Sequence, residues 1–469
     1  MRRLALAAIV LAALASPDVS TAHGLGAVKD LPVPLWLFYY GGAIVLVLSF
    51  AALGALWRQP RLEGRVDGRP LPEPLQRFLL SRGLRIAAGT LSVGLFLVVL
   101  AACFVGEQDA RVNLGPTFIW VIFWVGLVPI VVIFGNVWRI LSPWRAAADA
   151  VAWLTGRGGH GWSPAPYPER LGRWPAASLL FLFTAFELAY DAPSDPAVLG
   201  FAAFVYSVTT WFGMYIFGRE EWSRRGDAFS VYFELLSRLS PFAVRLDEDG
   251  RRRIVVRRPL AGLTERDAVP GTLAFVAVML GSVGFDGLSR TARWLVWRYD
   301  VVTSGDMGDL LGMLMNLGGL IGMIVLVAAA YLAAIGAARL VSGGDRSLVG
   351  LFLFSLVPIA LAYAFSHYFS LLFNQGQYAI RMTSDPLGHG WDLFGTADFP
   401  TRLSVLSPKT IWYVQVVALV GGHVLGLVLA HDRAISVFRS ARLALRTQYA
   451  MLALMVLYTV VGLWLLSQG

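Results

Sequence analysis

The feature that most constrains this chain is a series of apolar segments, each long enough to cross the ~30 Å hydrocarbon core of a bilayer as a helix. Ten such segments occur, at 33–56, 86–106, 116–135, 175–193, 198–218, 270–287, 309–335, 347–373, 410–430 and 449–467. Hydrophobic residues make up 57% of the chain and charged residues 15%. The sequence therefore predicts an all-α polytopic membrane protein with about ten transmembrane helices.

The charged residues predict how these helices are oriented. Residues 1–22 follow the pattern of a secretory signal peptide, with Arg2 and Arg3, an apolar core, and small residues ending at Ala22. Cleavage leaves 23–469 as one helical membrane domain with its N-terminus outside. Of the 39 Lys and Arg residues, 29 then fall in five loops predicted to be cytoplasmic: 57–85, 136–174, 219–268, 336–346 and 431–447. This asymmetry predicts a multi-pass protein of the cytoplasmic (inner) membrane.

The long loop 219–268 carries most of the predicted cytoplasmic structure. Asp227 is placed to cap a helix with one apolar face, which suits a helix lying on the membrane surface. Two short strands, 243–246 and 252–256, flank a predicted turn at 247–250 and together predict a β-hairpin. The arginines of this hairpin favour contact with anionic lipid headgroups over nucleic acid, because the net charge of +9 is spread among loops between apolar segments.

Several function classes find no support in the sequence. No G-x-x-x-x-G-K-[ST] phosphate loop is present, so no nucleotide cofactor is expected. The one cysteine, Cys103, excludes an intrachain disulfide and any cysteine-cluster metal site. There is also no H-E-x-x-H pair and no G-x-S-x-G elbow.

Two histidines lie at membrane depth. His367 belongs to a polar stripe on one face of the eighth segment, and His423 lies near the middle of the ninth. Polar groups facing lipid are costly, so both are expected to face other helices or a wet cavity. We predict them as ligands of a divalent metal ion, copper or zinc. Hydrogen bonds that join helices are the structural alternative.

Carboxylates of the fourth segment supply the candidate catalytic groups. Thr184, Glu187 and Asp191 share one helical face in the half predicted to be extracytoplasmic. Glu187 suits a general base, a metal ligand or a protonatable carrier. The structural alternative is a carboxylate paired with an arginine of an outer loop, such as Arg290.

His23 becomes the N-terminal residue if the signal is cleaved after Ala22. Its ring and the free α-amino group then form an N,N chelate that suits copper(II). In the alternative, cleavage occurs elsewhere, for instance after Ala15, and His23 has no such role.

Five short motifs resemble those of bacterial integral-membrane proteins known as fenitrothion hydrolases. They are Ala22–Gly24, Asp30–Pro34, Trp138–Arg139, Ser142–Arg145 and Gly421–His423. The resemblance implies hydrolysis of an organophosphate triester by a metal-bound hydroxide, with loss of an aryloxide. It assigns no catalytic residues.

The sequence thus leaves two functions open at one outward-facing site. In the first, a metal held by some of His23, His367 and His423 activates water, with Glu187 or Asp191 as base. In the second, the same residues bind and pass a metal ion or small solute taken from the outer side, and protonation of Glu187 couples the movement. The expected partners are the lipid bilayer and this small ligand.

Overall fold

The computed structural model describes residues 33–64, 68–156, 165–303, 307–343, 348–402, 405–438 and 440–468. The predicted signal peptide and His23 lie outside these ranges. The helices, in chain order, are α1 Leu35–Leu56, α2 Glu73–Leu79, α3 Arg82–Val105, α4 Leu114–Phe134, α5 Trp138–Leu141, α6 Pro143–Leu154, α7 Trp174–Ala189, α8 Pro196–Phe217, α9 Arg219–Arg225, α10 Ala228–Ser237, α11 Thr272–Ser289, α12 Ala292–Val302, α13 Gly308–Ser342, α14 Leu348–Gln375, α15 Tyr378–Ser384, α16 Pro408–Val437 and α17 Ala441–Leu466.

Within the described residues, nine helices are long and apolar enough to cross a membrane: α1, α3, α4, α8, α11, α13, α14, α16 and α17. This confirms the prediction of a mostly helical, multi-pass membrane protein. The predicted fourth segment, 175–193, is instead α7, a helix of 16 residues. At 1.5 Å per residue it spans roughly 24 Å, less than the hydrocarbon core.

The centre of the bundle is α11. Its 18-residue window is 78% buried, the largest share among the nine helices, and it packs against α7, α13, α14 and α17. Small residues permit these close approaches: a Cβ added at Gly281 would lie 2.7 Å from the backbone of Ile324 in α13. A polar group on α11 therefore meets protein instead of lipid.

The prediction of a surface helix after Asp227 is wrong. Every residue of α10 except Glu234 is buried, and the helix packs against α4, α7 and α14. The ring centroid of Phe229, in the first turn of α10, lies 5.0 Å from that of Phe183 in the middle of α7. The Asp227 carboxylate accepts hydrogen bonds from the hydroxyls of Tyr206, midway along α8, and Ser230. The chain thus turns back after α8, and α10 begins deep inside the bundle.

The predicted β-hairpin is confirmed and gains a third strand. β2 (Phe242–Leu246) pairs antiparallel with β3 (Arg252–Val256), in a register that places Val244 opposite Ile254. β1 (Arg69–Pro70) pairs with the other edge of β3. A two-residue strand that contains a proline gives no periodic signal, so the sequence did not reveal it.

Candidate functional site

The candidate site forms where α7, α10, α11 and α14 meet. Its polar residues are Glu187 of α7, Tyr232 of α10, Asp286 of α11, Arg290 just after α11, and His367 and Tyr368 of α14; we call them the Glu187 cluster. Asp286 lies in the last turn of α11, with only 3% of its surface exposed. Because α11 is central, its carboxylate comes within reach of α7 and α14.

The Asp286 carboxylate is bound by two side chains, those of His367 and Arg290. Its Oδ2 lies 2.7 Å from Nε2 of His367. Its Oδ1 accepts a hydrogen bond of 2.9 Å from Nε of Arg290, four residues later on the same helix. The Arg290 side chain is 57% exposed, whereas the side chains of Asp286 and His367 are 5% and 10% exposed. The pair is therefore buried, and Arg290 links it to the surface.

Glu187 is much less well bonded. Its Oε1 accepts one hydrogen bond, from the Tyr368 hydroxyl, and the O–O distance is 3.5 Å. That distance is well beyond the 2.5–2.7 Å typical of a hydroxyl bonded to a carboxylate. Arg290 and Tyr232 lie within electrostatic range of Glu187, but Arg290 gives its hydrogen bonds to Asp286. The predicted structural pairing of Glu187 with Arg290 is thus an electrostatic contact only.

Three of the helices that pack around the Glu187 cluster are irregular or short. The middle of α4, Thr117–Gly126, is a π-helix. The α14 segment contains a 3₁₀ turn at Phe354–Leu356, ahead of Pro358. The third is α10, which begins inside the bundle. π-helical and 3₁₀ segments within longer helices are frequent at functional sites.

A small cavity lies beside the cluster. Its volume is about 20 Å³, and its walls include the rings of Trp124, Tyr232 and Tyr368 together with aliphatic side chains of α4 and α14. That volume is sufficient for about one water molecule. The Trp124 indole nitrogen is buried and has no hydrogen-bond partner, so a donor is available at this wall.

The structure separates the other predicted site residues from this cluster. Asp191 lies beyond the end of α7, where its carboxylate accepts a 2.6 Å hydrogen bond from Arg298 of α12. Asp191 and Glu187 therefore belong to different networks.

His423 is fully buried at another depth. Its Nδ1 lies 2.8 Å from the carbonyl oxygen of Leu419, one turn earlier in α16, and its Nε2 has no partner. The neighbouring Gly422 packs on Ala362, five residues, or roughly 7 Å of helix, before His367. Within the described part of the chain, no three His, Cys, Asp or Glu side chains group as a metal site.

A second polar network lies at the other end of α16, and we call it the α16 staple. The Asp432 carboxylate accepts hydrogen bonds from the Trp57 indole at 2.8 Å and from the backbone N–H groups of Arg61, Leu62 and Glu63, at 2.6, 3.1 and 3.0 Å. Arg433 pairs with Glu63 at 2.6 Å. These bonds fasten the chain that leaves α1 to α16.

His431 completes the α16 staple. Its Nδ1 lies 3.1 Å from the Gln448 amide oxygen, and its Nε2 lies 3.1 Å from the Trp57 carbonyl oxygen. From the sequence, His431 and Asp432 lie at the inner end of the ninth segment, away from the candidate site, where an interface role is expected; the hydrogen bonds to the chain after α1 and to α17 agree with that role. Their consecutive placement at the end of a long apolar helix is the signal for such an anchor.

Sequence reasoning also missed two members of the Glu187 cluster, Tyr232 and Tyr368. Tyr368 follows His367 directly, but a tyrosine among many aromatic residues carries no distinctive pattern. The Asp286–Arg290 pair has a signal in its i, i+4 spacing at the end of an apolar segment.

Comparison with known proteins adds no assignment. A scan against protein-family models found no matching family, and searches of curated proteins and of solved structures found no match either. The resemblance to fenitrothion hydrolases therefore stays a prediction.

Proposed function

We propose that this protein carries a small solute or ion across the membrane in a cycle coupled to proton movement, with Glu187 as the group that binds and releases the proton. The observation that carries this proposal is the bonding of Glu187. Its carboxylate lies among apolar helices with a single hydrogen bond of 3.5 Å. An ionisable side chain within membrane segments is typical of a proton relay or a substrate pathway.

The arrangement around Glu187 supplies a chain of exchangeable groups. Tyr368 contacts Glu187 and lies within electrostatic range of Asp286. Asp286 contacts His367 and the partly exposed Arg290. A proton that leaves Glu187 thus has the Tyr368 hydroxyl and the Asp286 carboxylate between it and the surface at Arg290, on the side predicted to be extracytoplasmic, and the His367 imidazole is bound to the same carboxylate.

The π-helical segment of α4 and the short helix α10 support the proposal that the protein moves beside the Glu187 cluster. Transporters commonly place their binding site near the bilayer midplane, where discontinuous helices free backbone groups for ligands. Here the π-helix of α4 and the half-length helix α10 both supply side chains to the cavity beside the cluster, Trp124 and Tyr232. Small shifts of these segments would enlarge the cavity without breaking a regular helix.

Hydrolysis of a phosphotriester is the alternative that the resemblance implies. It needs a metal-bound hydroxide and room for an aryl ester, whereas His367 is engaged by Asp286 and the described cavity holds about one water. The cluster therefore favours proton-coupled transport, and one set of variants separates the two functions.

The test uses purified protein in sealed vesicles that contain the pH-sensitive dye pyranine. Gradients of Cu²⁺, Zn²⁺ and single amino acids are applied in turn, and the change in internal pH is recorded. We expect the wild-type protein to move protons with at least one of these solutes, and Glu187→Gln to reduce the rate at least tenfold. The matched control is Glu169→Gln, because Glu169 is an exposed carboxylate; it should behave as wild type.

The same preparations are assayed for fenitrothion hydrolysis in detergent. Thermal unfolding establishes that Glu187→Gln is folded, as expected for a change that keeps the side-chain volume and removes a weakly bonded charge. Proton movement that survives Glu187→Gln contradicts the proposal. Metal-dependent triester hydrolysis that Glu187→Gln abolishes, without any proton movement in wild type, would make the enzyme the correct function.

A further inference from the structure

A cluster of guanidinium groups lies on the side of the bundle that is predicted to be cytoplasmic. The Glu220 carboxylate is bound by Arg139 at 2.8 Å, by Arg145 at 2.7 Å and by Arg219 at 3.3 Å. Arg219 also pairs with Asp149. A fourth guanidinium, that of Arg252 in β3, lies within electrostatic range of Arg139 and Arg219. We call these four arginines the arginine cluster.

The positive charge of the arginine cluster is only partly neutralised. Four guanidinium groups face two carboxylates, Glu220 and Asp149. Burial alone would raise the pKa of Glu220, but Arg145 and Arg139 lower it to about 2. Burial, together with neighbouring arginines, lowers the pKa of Arg139 and of Arg219 despite the Glu220 carboxylate. The Nε of Arg219 is buried without a hydrogen-bond partner, so the two carboxylates do not use every donor of the arginine cluster.

An exposed apolar surface adjoins the arginine cluster. The β2–β3 register places Val244, Leu246, Arg252 and Val256 on one face of the sheet, because directly paired residues share a face. Val244 is 52% exposed, Leu246 68% and Val256 40%. On the opposite face Val255 is buried. Arg252 is paired with Leu246, so the apolar face ends at the arginine cluster.

This face continues the surface of a membrane helix. At the end of α4, Ile133 and Phe134 are 54% and 61% exposed. A Cβ added at the next residue, Gly135, would lie 2.8 Å from the carbonyl oxygen of Phe242, where β2 begins. The exposed apolar side chains at the end of α4 thus lie next to the start of the sheet.

Other arginines of the same loop are committed to internal contacts. Arg257 is buried and donates to the carbonyl oxygens of Ser240, Ser237 and Arg238. Arg253 pairs with Asp247 at 2.8 Å, and Arg258 donates to the Arg61 carbonyl oxygen. Within this basic run, Arg252 is the arginine that lies within electrostatic range of arginines from α5 and α9.

We propose that the arginine cluster and the exposed face of the sheet form one binding site for an anionic phospholipid. The lipid phosphate accepts hydrogen bonds from the guanidinium groups, which match its oxygens in charge and geometry. The glycerol and upper acyl chain lie on Val244 and Leu246. The apolar face favours a lipid over free phosphate, which has nothing to bury there. The site is independent of Glu187.

The test is native mass spectrometry of the full-length protein in detergent, titrated with phosphatidylglycerol or with phosphatidylcholine. We expect the wild-type protein to prefer phosphatidylglycerol. Arg219→Gln and Arg252→Gln should each weaken its binding about fivefold, since an arginine near an anionic surface contributes about 1 kcal/mol. Arg251→Gln is the matched control, because Arg251 is exposed in the same hairpin but precedes β3, and it should bind as wild type.

A variant of the exposed sheet face and a competition experiment with inorganic phosphate complete the test. Leu246→Glu adds a negative charge to the exposed face and should also weaken phosphatidylglycerol binding at least fivefold, even if Arg219→Gln fails to fold. Inorganic phosphate at the concentration of the lipid should displace none of it. Equal binding of the two lipids, equal loss in Arg251→Gln, or displacement by inorganic phosphate would each overturn the proposal.

Discussion

The α16 staple and the Glu187 cluster both contain carboxylates, an arginine and a histidine, but Asp432 of the staple is bonded much more fully than Glu187. Asp432 accepts four hydrogen bonds, three of them from backbone N–H groups. Glu187 accepts one, at 3.5 Å. A carboxylate with every lone pair engaged holds the backbone in place and cannot change its protonation without breaking those bonds. The sparsely bonded carboxylate is the one that is free to react.

The histidines also differ in how many of their ring nitrogens have hydrogen-bond partners. Both ring nitrogens of His431 have partners in the α16 staple. His367 bonds Asp286 through one nitrogen, and His423 has one nitrogen with no partner inside a closely packed helix interface. Hydrogen bonding at both ring nitrogens thus accompanies anchoring in the α16 staple, whereas an unpaired nitrogen, as at His423, does not by itself indicate a reactive site. Three substitutions test this comparison, and we give them from the largest expected effect to the smallest.

The largest loss of stability is expected for Asp432→Asn. The amide cannot accept hydrogen bonds from both pairs of donors, and its NH₂ group would face backbone N–H groups that are already donors. We expect a loss of about 3–5 kcal/mol in the free energy of unfolding, as is usual when one partner of a buried charged network is removed. Thermal unfolding in detergent measures this.

Asp398→Asn is the control, because Asp398 is exposed. It should leave the unfolding temperature unchanged. Full stability of Asp432→Asn would mean that bonding in the α16 staple does not report anchoring, and the comparison with Glu187 would lose its basis.

What the sequence could predict depended on whether a property is local. The β2–β3 hairpin and nine of the ten predicted spans follow from turn chemistry and hydropathy within a few residues, and the structure has a hairpin and nine sufficiently long apolar helices at these positions in its described residues. The position of α10 was not predictable in this way. Its apolar residues read as one face of a surface helix, but the small Ser230 and Ser237 on the other face are also buried, which only the packing of α4, α7 and α14 decides.

For the candidate site, too, the sequence could predict local properties but not contacts between distant segments. Glu187 was identifiable because a carboxylate in an apolar segment is unusual by itself. Its neighbours were not, because Asp286 and His367 lie 81 positions apart in the sequence, and only the central place of α11 brings them together. Asp191 was grouped with Glu187 by helical periodicity, but α7 ends at Ala189, so the periodicity stops before Asp191.

Asp286→Asn is expected to reduce both the stability of the protein and its proton movement, with a smaller loss of stability than Asp432→Asn. The change weakens the bonds to His367 and Arg290, but Arg290 is largely exposed, and exposed ion pairs contribute little. We expect a loss of about 1–3 kcal/mol in the free energy of unfolding, less than for Asp432→Asn. Proton movement in the vesicle assay should fall at least tenfold.

The matched control for Asp286→Asn is Asp309→Asn, since Asp309 is an exposed aspartate in the first turn of α13. It should keep both stability and proton movement. If Asp286→Asn loses stability but retains proton movement, the Asp286–His367 pair is an anchor like the α16 staple, and the relay does not pass through it.

The smallest effect is expected for His423→Leu, although His423 is as deeply buried as any residue of the α16 staple. Leucine has a volume close to that of histidine, and the change removes a ring nitrogen that has no partner together with one hydrogen bond, from Nδ1 to the Leu419 carbonyl oxygen. Replacing an unsatisfied buried polar group by an apolar group of similar shape is near neutral or stabilising. We expect the free energy of unfolding to change by less than about 1 kcal/mol and proton movement to be retained.

Copper or zinc content, measured on wild type and His423→Leu, tests the predicted metal role. A variant that folds normally but loses bound metal would show that the open nitrogen of His423 is a ligand position, and that bonding alone does not separate reactive from inert histidines in this protein.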